Sequence, residues 1–199
     1  MALPLTTLTE LEAVNYMLSV IGEQPVNSLD DAGITEASLA RTVLHHTSRE
    51  VQAQGLNCNS DKEYPLTPDI NGIINLPLNY LSVDASDINL QVSPRGKRLY
   101  DKTNHTFTFD KDVPVDIVFF LAFEDLPTHV SHYVTIKAAR KFAVNVLGSG
   151  TLDDLNTDDE TSAKILFESI ELRNNDFNIF NNYSSYKIIN RRHNPKFRG

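Results

Sequence analysis

Two histidines are the first residues whose type and spacing could do chemistry. His129 and His132 stand three apart, with Glu124 and Asp125 just before them. On a helix that spacing puts both imidazoles on one face, as a metal pair needs. No Glu lies between them in the H-E-x-x-H manner, and no third ligand is fixed by sequence, so they read as surface or interface histidines. His45 and His46 are adjacent and point to different helix faces, which does not favour one shared metal. Asp153, Asp154, Asp158, Asp159 and Glu160 form an acidic cluster without the spacing or the closing Glu of a calcium loop. They read as favourable charge at a helix N-terminus. Cys58 is the only cysteine. It could be a nucleophile only beside a positioned base, and a small apolar strand residue is the simpler reading. There is no phosphate-binding loop, dinucleotide fingerprint, nucleophile elbow or zinc spacing. A carboxylate pair for sugar hydrolysis can always be assembled on paper from 26 acids, and only their separation in space would support it. The sequence thus predicts no catalytic, cofactor-binding or metal-binding residue.

The C-terminus combines residue types differently. Tyr183, Tyr186, Ile188, Ile189 and Phe197 are interleaved with Lys187, Arg191, Arg192, Lys196 and Arg198. Tyr and Arg are enriched at the energetic centres of protein interfaces. Basic residues among aromatics also suit single-stranded nucleic acid. Net charge is −8, yet Lys187 to Gly199 holds five Lys or Arg and no acid, leaving −13 for the remainder. A basic tail on an acidic body reads as a docking arm, and the body itself would repel phosphates.

The elements that must carry these residues have written ends. Thr9 and Glu12 form a T-x-x-E capping box, with Leu8 and Ala13 at the staple positions. Leu11, Val14, Met17, Leu18 and Ile21 recur at helical spacing. Gly22 stands where a left-handed cap is wanted, and Pro25 prevents resumption. Val26 and Leu29 turn the chain back onto the helices. A second helix begins at Thr35, shows Leu39, Val43, Thr47 and Val51 on one face beside Ala40 and Leu44, and closes at Gly55.

Between Leu56 and Phe123 the period changes. Ile73–Leu76, Ile88–Val92, Arg98–Tyr100, Thr106–Phe109 and Val115–Leu121 read as strands, with Lys102–His105 as a hairpin turn. The nearly all-apolar run from Val115 reads as a central strand covered on both faces. Helix returns at Pro127, with Val130, Val134, Ala138, Phe142 and Val146 as its stripe, Lys137, Arg140 and Lys141 away from it, and Gly148-Ser-Gly150 at its end. A second capping box, Thr157-Asp-Asp-Glu160, reads as the start of a fourth helix with Ala163, Leu166, Phe167 and Ile170 facing inward.

The predicted class is α+β: a four-helix bundle of two N-terminal and two C-terminal helices, an inserted antiparallel β-rich module, and an extended C-terminal arm. The expected boundaries are 1–55 and 124–176 for the bundle, 56–123 for the insert and 177–199 for the arm. At 41% hydrophobic and 22% charged residues, the composition is that of an ordinary globular protein. No apolar run approaches the ~18 residues of a membrane span, and Met1-Ala-Leu-Pro-Leu lacks the features of a secretory signal. A lone cysteine suits assembly in a reducing cytoplasm.

The stretch from Glu12 to Leu29, read as AVNxxLxxIGExPVxxL, resembles tail tubular protein A of short-tailed bacteriophages, the adaptor or gatekeeper ring between portal and nozzle. Gln52-Ala-Gln-Gly55, Tyr100-Asp-Lys-Thr103, Asp125-Leu-Pro127 and the helix Thr135-Ile-Lys-Ala-Ala-Arg-Lys-Phe142 through Gly148 resemble that family in the same order. Leu56 departs from it, since an aromatic is usual there. The resemblance implies a structural virion protein with the same two-part architecture, its β part helping to build the ring and the tail-facing surface. It also implies a ring of roughly twelve copies, portal above and nozzle (tail tubular protein B) below, with tail fibre protein a further neighbour. Genomic DNA would cross the channel without sequence-specific contacts. In that setting Tyr183, Tyr186, Ile188, Ile189, Arg191, Arg192 and Arg198 are the expected portal-docking residues. The alternatives are an enzyme acting on cell-envelope polysaccharide and a basic-tailed nucleic-acid-binding module.

Overall fold

The computed structural model describes residues 8–30, 35–148 and 150–179. Its order is helix α1 (Glu10–Val20), helix α2 (Thr35–Gln52), strands β1 (Ser60–Leu66), β2 (Tyr80–Ala85), β3 (Val92–Arg95), β4 (Arg98–Asp101) and β5 (Val113–Phe119), a 3-10 turn (Phe123–Asp125), helix α3 (Thr128–Leu147) and helix α4 (Gly150–Ile179). The class is α+β.

Local chemistry sets the helix ends. The Thr9 hydroxyl accepts the Glu12 N–H while Glu12 accepts the Thr9 N–H, so two orphan donors are satisfied reciprocally. Gly22 (φ +82°) and Gly148 (φ +59°) take the left-handed conformation that ends α1 and α3. Ala13, Val14, Met17 and Leu18 are buried, with Leu8, Leu11 and Ile21 packed beside them. On α2 the buried face is Ala37, Ala40, Leu44, Thr47, Ser48 and Val51, while Leu39 of the expected stripe is 43% exposed. The stripe drifts because an i+4 series advances faster than the 3.6-residue turn.

Helix α3 touches each of the other three helices, and α1 also contacts α2. Its stripe Val130, Val134, Ala138 and Phe142 is buried, but Val146 is exposed at the C-terminal end. Lys137, Arg140 and Lys141 do not simply face solvent: Lys137 and Lys141 both reach Glu50 of α2, and Arg140 reaches Glu160 of α4 at 2.8 Å. Helix α4 departs most from expectation. It is already helical from Gly150, so Thr157 is interior and there is no capping box there; the Thr157 carbonyl instead accepts the Thr161 hydroxyl. Ala163 and Phe167 are buried, while Leu166 is 51% exposed. The helix continues to Ile179, three residues into the stretch expected to be an arm from Phe177.

A second hydrophobic cluster, around Ile74, Leu99, Val115 and Ile117, fills the β region. Strand β5 lies between β1 and β2, all antiparallel, and β3 and β4 form a separate hairpin. The central position of β5 agrees with its sequence, but coverage on both faces does not. Val113, Val115 and Ile117 are buried and alternate with exposed Pro114 and Asp116. Strands β1 and β2 were not expected. Ile73–Leu76 and Thr106–Phe109 supply only isolated bridges, Ile73 with Thr108 and Asn75 with Arg98. The run from Ile88 is strand only from Val92, and Ile88 is almost fully exposed. The hairpin turn after Asp101 forms as predicted, closed by an Asp101–Thr106 bridge.

Candidate functional site

Every residue proposed for docking (Tyr183, Tyr186, Ile188, Ile189, Arg191, Arg192 and Arg198) lies outside the described residues. The residues flagged for chemistry lie mostly within them and take other roles. His129 and His132 do not converge. The His129 Nε2 sits 2.9 Å from the Glu171 carboxylate of α4, with its ring beside Phe167, whereas His132 lines a groove with Tyr16. His45 pairs with Glu10 of α1 at 2.7 Å, and His46 faces a different groove with Arg140. Among the described residues no group of three or more His, Cys, Asp or Glu converges as a metal site would need. Cys58 lies in a turn before β1, exposed, not in a strand. The residue is exposed, but its surroundings desolvate the sulfur in part, and that and the nearby negative Glu171 push its thiol up, so the proton is held more firmly than in an ordinary cysteine.

By contrast, Asn15, Gln52 and Asp101 of the quoted motifs, together with Asn59, act as clamps between side chain and backbone. Asn15 donates to the Val26 carbonyl at 3.0 Å and accepts the Val26 N–H at 2.8 Å. This fixes the chain after Pro25 against α1 and buries Val26 in the helical core. Gln52 donates to the Leu121 carbonyl and accepts the Leu121 N–H. Asn59 donates to the carbonyls of Gln52 and Phe119 and accepts the Leu56 N–H. Gln52 and Asn59 are buried, and together they tie the entry to the β region to its exit. Asp101 is buried yet accepts the N–H groups of Thr103 and Asn104 and the Asn104 amide. Burial alone would raise its carboxyl; the donors from Asn104 and Thr103 outweigh that and hold it below the usual range. Pro127 caps α3, its carbonyl accepting from Val130 and Ser131.

Sequence reasoning missed three partners. Glu171 accepts the Asn57 N–H at 3.0 Å as well as meeting His129, so one carboxylate joins α4, α3 and the α2–β1 corner. Glu50 gathers Lys137 and Lys141, which lower its pKa. Asp116, on the open face of β5, accepts the Ser86 hydroxyl and the N–H of Glu63, whose left-handed φ of 54° marks a bulge in β1. No pattern along the chain pairs residues this distant.

Two grooves open on the helical surface. One, of about 590 Å³, lies between α2, α3 and α4 and carries Arg140, Lys141 and Glu160 around the buried Thr47 hydroxyl. The other, of about 370 Å³, lies between α1, α3 and α4 and is lined by Tyr16, His132, Ile136, Asp159 and Leu166. In the β region the chief exposed apolar residues are Ile70, Leu78 and Ile88. Ile70 and Ile88 follow the ends of β1 and β2 that pair near the start of β5, away from the helices, because Leu66 pairs with Val113 and Ala85 with Val115.

A family model described as tail tubular protein matches residues 11–177. Among curated proteins, the chain is similar to Tail tubular protein A of Klebsiella phage KP34, at 32% identity over 139 residues covering 70% of this chain and 74% of that protein.

Proposed function

Given that this chain belongs to the tail tubular protein family, structural components of phage tails, we propose that it is the adaptor subunit that joins portal to nozzle and forms part of the DNA ejection channel. The observation that carries this reading is the extent of the match, from residue 11 to 177, which takes in helices and β region together. The clamps support it: the motif residues hold architecture in place, as a subunit requires. In this reading α1–α4 pack as a four-helix bundle, residues 56–123 form a module inserted between the helical pairs, and the chain beyond α4 is the portal-docking arm. Copies close into a ring of roughly twelve. The nozzle protein meets the opposite side, with tail fibre protein adjacent. The protein acts without catalysis and is assembled in the host cytoplasm.

The acidic body fits a conduit for DNA. A channel wall with few basic residues would let phosphates slide without salt-dependent adhesion. Electron microscopy of the purified protein mixed with its portal tests the proposal. Rings seated on portal, with acidic or neutral side chains lining the channel, are expected. Failure to bind portal at any salt concentration would sink the adaptor reading, and a channel dominated by Lys and Arg would refute its electrostatic part.

A further inference from the structure

We infer that the turn of the β3–β4 hairpin binds the sugar–phosphate backbone of double-stranded DNA through Arg95, Lys97 and Arg98. The inference stands on the hairpin alone and does not depend on the adaptor reading. Arg95-Gly96-Lys97-Arg98 makes a two-residue turn, with Arg95 paired to Arg98 across the strands and Gly96 at φ +65°. Glycine in the first turn position is what a type II′ hairpin turn needs. All three cations are exposed. Among the described residues no carboxylate pairs with them, whereas Arg41, Lys137, Arg140 and Lys141 of the helices all have one. The one acid of the two strands, Asp101, is buried at the far end of the hairpin opposite Val92, where the N–H groups of Thr103 and Asn104 hold it. On a chain of net charge −8, the turn is a local concentration of positive charge.

The cations are also held in place. The Arg95 guanidinium lies 3.5 Å over the Tyr100 ring, and that of Arg98 lies 4.4 Å over the Phe107 ring. The two rings meet edge to face at 4.9 Å. Stacking fixes each guanidinium plane and leaves its N–H edges for an oxyanion. The turn itself is tied down: the Tyr80 hydroxyl donates to the Gly96 carbonyl and the Leu76 N–H to the Lys97 carbonyl, each at 2.9 Å. Those bonds engage both turn carbonyls and order the cations before any ligand arrives, which lowers the entropic cost of binding.

A phosphate backbone fits this turn better than a protein surface does. The centre of a protein interface is apolar and shielded from water. Here Val92, Leu99 and Tyr100 are buried, and a guanidinium lies over each of the two rings, so the turn presents mainly charge. Contacts to DNA phosphates ask for such cations and nothing more. With both rings engaged by guanidinium and by each other, binding follows the backbone and not the base sequence.

The test follows the fluorescence anisotropy of a labelled duplex of about 20 base pairs titrated with the full chain across a salt series. Arg95→Ala, Lys97→Ala and Arg98→Ala together should weaken binding at least about tenfold at ~50 mM salt, and lower the slope of log affinity against log salt by about 2.7, at ~0.9 per phosphate. A control chain with Lys62→Ala, Lys111→Ala and Arg173→Ala loses the same charge from exposed positions elsewhere and should keep the parent slope. The C-terminal cations are present in all three chains, so the difference belongs to the hairpin. Arg95→Lys with Arg98→Lys should keep the slope but bind several-fold more weakly, because lysine lacks the planar fork. That variant preserves the hairpin's charge and carries the test if the triple substitution disturbs the fold. Absence of duplex binding by the parent at low salt, equal losses in the hairpin and control chains, or unchanged affinity in the lysine variant would overturn the inference. So would unchanged DNA binding by the triple alanine variant alongside a loss of portal binding, which would assign the turn to a protein partner.

Discussion

Asn15 shows how one side chain can set a connection. Its amide closes two hydrogen bonds around Val26, eleven residues on. Asn15→Ala leaves the Val26 N–H and carbonyl without partners in a part-buried corner, which should cost about 1–3 kcal/mol. Thermal unfolding should show the loss, and Asn15→Asp, which keeps only the acceptor, should fall between. Asp101 works in a different currency. Its folded pKa lies below that of the unfolded chain, so its contribution is present above the ordinary Asp value near ~3.9 and is lost as pH falls through the folded value. Asp101→Asn should therefore lower stability at neutral pH and flatten the decline below about pH 4, read from denaturation midpoints across the acid range. If the acid limb is unchanged, other carboxylates carry it. Both residues are visible in the sequence as motif positions. Their partners are not, because a side chain that binds distant backbone leaves no local pattern.

Among the elements, those with apolar periodicity and explicit ends were legible. α1 and α3 carry both: Thr9, Gly22 and Gly148 end them as the residue types demand, while Pro127, read as the first helical residue, stands one position before α3. β1 was hidden because Ser60–Leu66 reads S-D-K-E-Y-P-L, almost wholly exposed. It is strand because β5 supplies its pairing, and its Lys62 and Pro65 suit an edge. β4, by contrast, is short but bounded by Gly96 and the Asp101 turn, which the sequence does show. The start of α4 was misplaced because Thr157 and Glu160 satisfy a capping pattern that an interior turn satisfies equally well. Beside the buried Ala163 and Phe167 and the Arg140–Glu160 pair, Glu171 ties the later turns of α4 to its neighbours. Its carboxylate is about one-eighth exposed and meets His129 and the Asn57 N–H. Glu171→Ala should cost about 2 kcal/mol, in the range for hydrogen bonds to a charged group. Hydrogen exchange should rise in the C-terminal half of α4 and at residues 53–59, and little in β2 or β5. A uniform rise would mean that Glu171 stabilises only the global fold.

For the whole molecule, charge is segregated along the chain, with five Lys or Arg and no acid from Lys187 to Gly199, and the sequence alone made that plain. The residues proposed for docking lie beyond Ile179, outside the described residues, and the grooves of the helical surface are assembled from helices far apart in sequence, which no pattern along the chain joins. The last prediction joins the two. Helix α4 runs to Ile179, so truncation belongs after that residue and not before Phe177, where it would cut into the helix. A chain ending at Ile179 keeps the Glu171 latch and the buried Phe167, so far-ultraviolet circular dichroism per residue should change little. Its binding to portal should fall sharply, since Tyr183, Tyr186, Ile188 and Ile189 would supply most of the affinity and the arginines would steer the approach. The full-length Arg191→Glu, Arg192→Glu variant separates those contributions. Its binding should be weakened most at low salt, where exposed charge attraction is least screened, and should approach that of the parent chain as salt rises. Co-sedimentation with portal across a salt series reads both effects. If the truncated chain binds portal with undiminished affinity, the docking surface lies on the helices, and the groove of Arg140, Lys141 and Glu160 becomes the first place to look.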